Sequence, residues 1–273
     1  MSRIEGRFQQ LAEQGRTALI PYVVAGDPGL DVTVGLMHAL VDSGADIIEV
    51  GVPFSDPMAE GPVIQLAHER ALANGTTLAA VLDMVREFRE RDSTTPVLLM
   101  GYANPVERMG YVVFADTAAA AGVDALLTVD IPPEEVALIN TELQRVAMDN
   151  ILLVSPTTPA ERVAKITAQA SGFIYYVSLK GVTGAGHLDT VEVADKLAII
   201  RQHTDLPVAV GFGIKDASSA KAVAQVADGV VVGSALVNAM AGAIESGGDC
   251  GAAVTAAADL LGQIRQGIDS IAS

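Results

Sequence analysis

The sequence predicts an α/β fold of the (β/α)8 TIM-barrel type, and three observations carry that prediction. Eight short apolar runs recur along the 273 residues. Each is apolar for most of its length, the pattern of strands buried on both faces of a parallel sheet. Longer stretches with apolar residues at helical spacing lie between them, so strand and helix alternate throughout. The length suits one barrel domain spanning 1–273. An open doubly wound sheet is the alternative, and eight evenly spaced units favour the barrel over it.

The runs are, in order, Ala18 to Ala25 (ALIPYVVA), Asp46 to Gly51 (DIIEVG), Pro96 to Gly101 (PVLLMG) and Ala125 to Val129 (ALLTV). Then come Ile151 to Val154 (ILLV), Phe173 to Ser178 (FIYYVS), Pro207 to Gly211 (PVAVG) and Gly229 to Val232 (GVVV). An extra helix is expected over Ile4 to Gln14. Pro28 to Ser43 carries Leu30, Val34, Met37, Leu40 and Val41 at helical spacing. Val63 to Asn74 and Leu78 to Arg91 place two helices between the second and third strands. Thr158-Pro159-Ala160-Glu161 reads as a capping box with Pro at the first helical position, ahead of a helix to about Ala170. Asp216 reads as the N-cap of a helix through Val226, and an Ala-rich helical tail follows Gly251. The sequence contains no linker, low-complexity segment or second domain.

Composition limits the function classes. Half the residues are hydrophobic and only 4% aromatic, so the core is built from Ala, Val, Leu and Ile. A formal charge of −16 opposes binding to a phosphate backbone and serves solubility. It leaves room for a small phosphorylated ligand, which backbone N–H groups and helix N-termini can hold. One cysteine, Cys250, permits no intrachain disulfide and no thiolate zinc site, consistent with a reducing compartment. His38, His68, His187 and His203 show no metal-ligand spacing. His38 and His68 fall in helical patterns and read as surface or half-buried residues. The N-terminus has no signal-peptide h-region, and no apolar run approaches the roughly 20 residues of a membrane helix. A cytoplasmic protein is expected.

In such barrels the chemistry sits at the C-terminal ends of the strands. Side chains alternate along a strand, so Ile47, Glu49 and Gly51 share a face. If Ile47 fills the barrel, Glu49 points inward near the catalytic rim. Partial desolvation would raise its pKa and suit it to act first as acid and then as base. A structural Glu paired with a buried polar partner is the other reading. The loop Pro53 to Gly61 (PFSDPMAEG) supplies Asp56 and Glu60, and reads as a lid or binding loop or else as ordinary solvated surface.

Gly181 to Gly186 (GVTGAG) is a glycine-rich loop after the sixth strand. Gly211-Phe212-Gly213-Ile214 follows the seventh strand, and Gly233-Ser234-Ala235 opens a helix after the eighth. Glycine turns at these last two positions, with a helix N-terminus, are where such barrels hold phosphate. The expected phosphate-binding residues are Gly184, Gly213, Ile214, Gly233 and Ser234. Tyr22, Met100, Tyr102, Val129, Leu153, Tyr175 and Phe212 lie at strand ends, either as a pocket for a flat aromatic group or as plain core. The five lysines (Lys165, Lys180, Lys196, Lys215 and Lys221) fall outside the strand cores, which argues against an imine-forming aldolase. The residues alone thus point to acid/base chemistry on a phosphorylated, partly apolar small molecule.

Several of these segments resemble the tryptophan synthase α-subunit family. They are Ile20 to Pro28 (IPYVVAGDP), Glu49 to Gln65 (EVGVPFSDPMAEGPVIQ), Tyr102-Ala103-Asn104-Pro105 and Ser178 to Gly184 (SLKGVTG). Gly211 to Ile214 and Val232 to Ala235 follow in the expected order, so the resemblance spans essentially the whole chain. It implies a retro-aldol cleavage of indole-3-glycerol phosphate to indole and glyceraldehyde 3-phosphate.

By resemblance Glu49 is the principal acid/base, and Glu60 is the carboxylate that binds the indole N–H. Thr183 and its loop would close the site, and Tyr175 would lie against the substrate. The family usually has Asp at the position of Glu60; the extra methylene lengthens the reach by about one carbon–carbon bond, and a misplacement of about 1 Å can cost on the order of a hundredfold in rate. The resemblance also implies an αββα complex in which the β subunit carries pyridoxal phosphate and this chain binds no cofactor. Pro53, Asp56, Asn104 and Pro132 would face that partner. A stand-alone indole-glycerol phosphate lyase and a catalytically weakened allosteric subunit are the alternatives.

Overall fold

Apolar runs too short for helices have to pair laterally, and here every paired strand runs parallel to its neighbour. The computed structural model describes residues 2–178, 190–211 and 213–271. In chain order it places α1 (Arg3–Glu13), β1 (Ala18–Val24), α2 (Thr33–Asp42), β2 (Ile48–Gly51), α3 (Pro62–Ala73), α4 (Leu78–Arg89) and β3 (Val97–Gly101). Next come α5 (Ala103–Met109), α6 (Tyr111–Ala121), β4 (Ala125–Thr128), α7 (Ala137–Arg145), β5 (Asp149–Asn150), β6 (Leu152–Val154) and α8 (Ala160–Thr167). The chain continues through β7 (Ile174–Val177), α9 (Thr190–Arg201), β8 (Val208–Gly211), α10 (Ala217–Ala224), β9 (Gly229–Val232), α11 (Ser234–Glu245) and α12 (Cys250–Asp269).

The sheet order is β5-β4-β3-β2-β1-β9-β8-β7-β6. Its two end strands are consecutive in the chain and separated only by Ile151, so the sheet closes on itself as a TIM barrel. The fifth expected strand is therefore two pieces. Ile151 donates its N–H to Leu126 at 2.9 Å, while the Asn150 carbonyl accepts from Ser171 at 2.9 Å. The chain turns at this seam from pairing with β4 to pairing with β7.

Three other expectations need correction. The helix expected from Pro28 begins at Thr33, because residues 28–32 form turns and Thr33 uses its hydroxyl to accept from the Gly26 N–H at 2.8 Å. The capping box at Thr158 is absent: Pro159 is the N-cap of α8 with no side-chain bond, and the Thr158 hydroxyl accepts from the Ser155 N–H at 3.0 Å. His68, expected at or near the surface, is buried at 2% exposure. The Asp216 cap is as expected, in a reciprocal box with Ser219 at the start of α10.

A repeated device organises the N-terminal end of the barrel. Asp46, Asp124 and Asp228 each precede a strand and accept from the backbone N–H that opens the neighbouring one. The donors are Leu19 at 2.9 Å, Val97 at 2.8 Å and Val208 at 2.8 Å. Arginines complete each site: Arg265 on Asp46 at 3.1 Å, Arg89 and Arg3 on Asp124 at 2.7 Å each, and Arg201 on Asp228 at 3.1 Å. At two of the three, a glycine in the left-handed region makes room for the arginine stem. A Cβ on Gly44 (φ +101) would stand 2.7 Å from Arg265 Cγ, and one on Gly122 (φ +90) 2.8 Å from Arg89 Cγ. Helix α1 closes this end with Ile4, Phe8 and Leu11 buried, and the Phe8 ring lies 5.6 Å from that of Phe173. No helix among the described residues is long and apolar enough to cross a membrane.

Candidate active site

The parallel register aligns Tyr22 of β1 with Glu49 of β2, and Glu49 with Leu98 of β3. All three are buried. As expected from the alternation with Ile47, Glu49 is enclosed, at 0% exposure. Neither of its carboxyl oxygens has a hydrogen-bond partner among the described residues. An ionised carboxylate in that setting would be unsolvated and unpaired, so the neutral form is favoured. Burial pushes Glu49 up to about 8, and the nearby charge of Glu60 adds to the shift. At neutral pH this residue is an acid with a proton to give.

Glu60 occupies the loop between β2 and α3 and is less enclosed. Tyr102, at the start of α5, donates its hydroxyl to the Glu60 carboxylate and accepts from the Ala59 N–H at 3.0 Å. Gln65 of α3 holds the Glu60 carbonyl at 2.9 Å, and the Phe54 ring stacks on Tyr102 at 4.8 Å. Burial raises the Glu60 pKa, while the Tyr102 hydrogen bond opposes that rise. The loop after β1 is also tied to α3, through a bidentate pair between buried Asp27 and Arg70 at 2.7 and 2.8 Å.

Tyr22, Glu60, Met100 and Tyr175 border one cavity together with Gly213, Ile214, Gly233 and Ser234. The strand-end apolar residues and the turns after β8 and β9 thus meet in one space at the C-terminal end of the barrel. Two glycines leave notches for the tyrosines. A Cβ at Gly51 would stand 2.4 Å from the Tyr22 hydroxyl oxygen, and one at Gly211 2.5 Å from that of Tyr175. Ser234 is the first residue of α11, so free backbone N–H groups face this end of the cavity. Glu49 does not itself border the cavity. It is buried next to Tyr22 and Tyr175, whose own burial keeps both phenols protonated.

Not every expected residue joins this space. Val129 and Leu153 border a second cavity of about 210 Å³ with Thr158 and Ile166. Thr183, Gly184 and Phe212 lie outside the described residues. Of the four partner-facing residues, Asp56 and Asn104 are exposed and Pro132 is half-buried. Pro53 is buried in its own chain.

The sequence reading missed the residues that hold these groups in place: Gln65, His68, Gly51 and Gly211. The spacing of Ile64 and His68, four apart on one helix, was the available signal, because it puts the histidine on the face that Ile64 turns toward the cavity.

A closed parallel barrel whose strand ends gather a proton-bearing acid, a second carboxylate and a glycine-lined cavity defines an acid/base enzyme of the (β/α)8 class. Comparison with known proteins narrows the class. The family model for the tryptophan synthase alpha chain matches residues 8–264, and the chain belongs to that family. It is 59% identical over 270 residues to the tryptophan synthase alpha chain of Thiobacillus denitrificans, covering 99% of this chain and 97% of that one. It is 56% identical to that of Alkalilimnicola ehrlichii, covering 100% and 98%. Among solved structures it is similar to the tryptophan synthase subunit alpha of Legionella pneumophila, with a TM-score of 0.92, 46% identity and 99% of each chain covered. A chain of the aminoacrylate-bound tryptophan synthase of M. tuberculosis matches with a TM-score of 0.86 at 34% identity, covering 98% of this chain and 100% of that one.

Proposed function

We propose that this chain is a carbon–carbon lyase that cleaves indole-3-glycerol phosphate to indole and glyceraldehyde 3-phosphate, working with a tryptophan synthase β subunit in the cytoplasm. The observation that carries the reading is Glu49, a buried carboxyl with no partner and a pKa of about 8.

Glu49 gives its proton to C3 of the indole ring. Glu60 accepts a hydrogen bond from the indole N–H and stabilises the positive charge that develops on the ring. The carboxylate left on Glu49 then takes the proton of the hydroxyl on the adjoining glycerol carbon. The bond from C3 to that carbon breaks, its electron pair returns to the ring, and the carbon becomes the aldehyde of the triose phosphate. Glu49 ends as it began, protonated. The step requires its carboxyl to turn into the cavity, and among the described residues no hydrogen bond ties it to its present orientation.

The N–H groups at Gly213, Ile214, Gly233 and Ser234, with Gly184, receive the phosphate, and Tyr22, Met100, Tyr102 and Tyr175 enclose the ring. Thr183 closes the site and helps orient the carboxylates. Glu60 serves in spite of its longer side chain because the Tyr102 hydroxyl, itself held by the Ala59 N–H, fixes its carboxylate. Proton transfers by Glu49, with Glu60 as hydrogen-bond acceptor, carry the cleavage; the pyridoxal phosphate belongs to the β subunit, which meets the rim at Asp56, Asn104 and Pro132.

Indole release from indole-3-glycerol phosphate, with and without added β subunit, tests this reading. Slow release alone and strong stimulation by the partner are expected, with a large loss in Glu60→Ala. No release under either condition would overturn it.

A further inference from the structure

A buried histidine decides how one hydroxyl of the cavity is used. His68 lies on α3 with both ring nitrogens engaged. Nδ1 is 3.0 Å from the Phe54 backbone nitrogen, and Nε2 is 3.2 Å from the Tyr22 hydroxyl oxygen. A backbone N–H can only donate, so Nδ1 presents its lone pair and carries no proton. Burial pushes the ring down to about 4, so it is neutral at working pH and its single proton sits on Nε2. Nε2–H therefore donates to Tyr22. The hydroxyl oxygen accepts, and its own proton is left over.

Among the described residues nothing takes that proton, since the contact with His68 is the only hydrogen bond of the Tyr22 hydroxyl. Tyr22 is buried and borders the cavity together with Glu60, Gly233 and Ser234. A polar hydrogen fixed in such a place is directed to an acceptor on whatever fills the space. The position of the residue narrows the acceptor. Tyr22 is the register partner of Glu49, and a Cβ on Gly233 would stand 3.2 Å from its Cδ1. The side chain thus spans the stretch between the acid and the start of α11. On the reading above, that stretch holds the chain joining the indole ring to the phosphate.

We propose that Tyr22 donates a hydrogen bond to an oxygen of the substrate's glycerol chain, and that His68 is the positioning residue that turns its hydroxyl outward. The inference rests on indole-3-glycerol phosphate being the substrate. It assigns a polar task to a side chain whose ring alone would serve for packing, and it gives the site a means of distinguishing a hydroxylated linker from a plain one.

The test compares two probes by calorimetric titration in a Glu49→Gln background, where the substrate is not cleaved. One is indole-3-glycerol phosphate. The other is indole-3-propanol phosphate, which keeps ring and phosphate but lacks both chain hydroxyls. Tyr22→Phe, which keeps the ring in its notch, is expected to weaken the first by roughly threefold to tenfold, the worth of one neutral hydrogen bond, and to leave the second unchanged. His68→Leu should show the same selective loss. It should add nothing in a Tyr22→Phe background, whereas a packing role would lower affinity for both probes in either background. His68→Gln should restore binding, because its amide can accept from Phe54 and donate to Tyr22. Equal losses for both probes, or no loss for either, would overturn the proposal. Failure of both probes to bind the Glu49→Gln protein itself would instead remove the substrate assignment, and this inference with it.

Discussion

At the N-terminal end of the barrel Asp124 meets two arginines and a backbone N–H, whereas at the other end Glu49, equally buried, meets no partner among the described residues. The strands between them are the same, so the difference lies in what the sequence places around each carboxyl. The hydrogen bonds and ion pairs of Asp124 replace the water it has lost. Glu49 has lost water and gained nothing, and stays protonated instead. A satisfied buried acid is a structural tie, and an unsatisfied one keeps a proton available. The cavities agree with this division. A cavity of about 1240 Å³, larger than the one at the strand ends, lies at the N-terminal end, where Arg16, Arg201, Asp149 and Asp228 all have partners of their own. Size therefore does not locate the chemistry; the smaller cavity beside the unpaired acid does.

Substitutions at the two ends should separate these roles. The largest effect is expected for Glu49→Gln, which keeps the shape and removes the transferable proton. Turnover should fall on the order of a thousandfold or more, within what a positioned acid/base contributes. Stability should respond in the opposite sense. Glu49 titrates near 8 in the fold against 4.5 for an ordinary Glu. Between those values the unfolded chain has lost the proton that the folded one keeps, so folding stability declines as pH rises through this window. The decline is about 1.4 kcal/mol per pH unit, and it stops above about 8. Urea midpoints of the Glu49→Gln variant should lack that component of the slope. An unchanged slope would mean that Glu49 is ionised in the fold.

Asp124→Ala should do the reverse. It removes the acceptor of the Val97 N–H and the ion-pair partner of the half-buried Arg89, at a cost of about 3 kcal/mol, while the remaining folded protein turns over normally. A loss of kcat without a loss of stability would blur the contrast drawn between the ends.

Much of this was legible in the sequence. Continuous apolar runs located the strands to within a residue or two because parallel strands are buried on both faces. The one strand that eluded the pattern breaks at Ile151, where the barrel closes; its first half, Asp149–Asn150, is polar and carries no apolar signal. Alternation from Ile47 fixed the inward direction of Glu49, which needs no tertiary information. What stayed hidden depends on approach across the fold. Val129 and Leu153 have the right residue type at the right strand ends, yet they border another space. His68 reads as an ordinary helical residue until Tyr22 and Phe54 are brought to its two nitrogens. The Gly-X-Asp repeats at Gly44 and Gly122 were in plain view, but their meaning needs the arginines, which come from distant helices.

The most direct test of the central claim is the protonation state of Glu49 itself, read from the infrared carboxyl band that is present in the unchanged protein and absent from Glu49→Gln. A protonated-carboxyl band is expected at pH 7 that titrates away near pH 8, with the carboxylate bands growing in its place. A Glu49 band already ionised at pH 6 would contradict it, because the chain would then hold a buried carboxylate with no proton to give the ring.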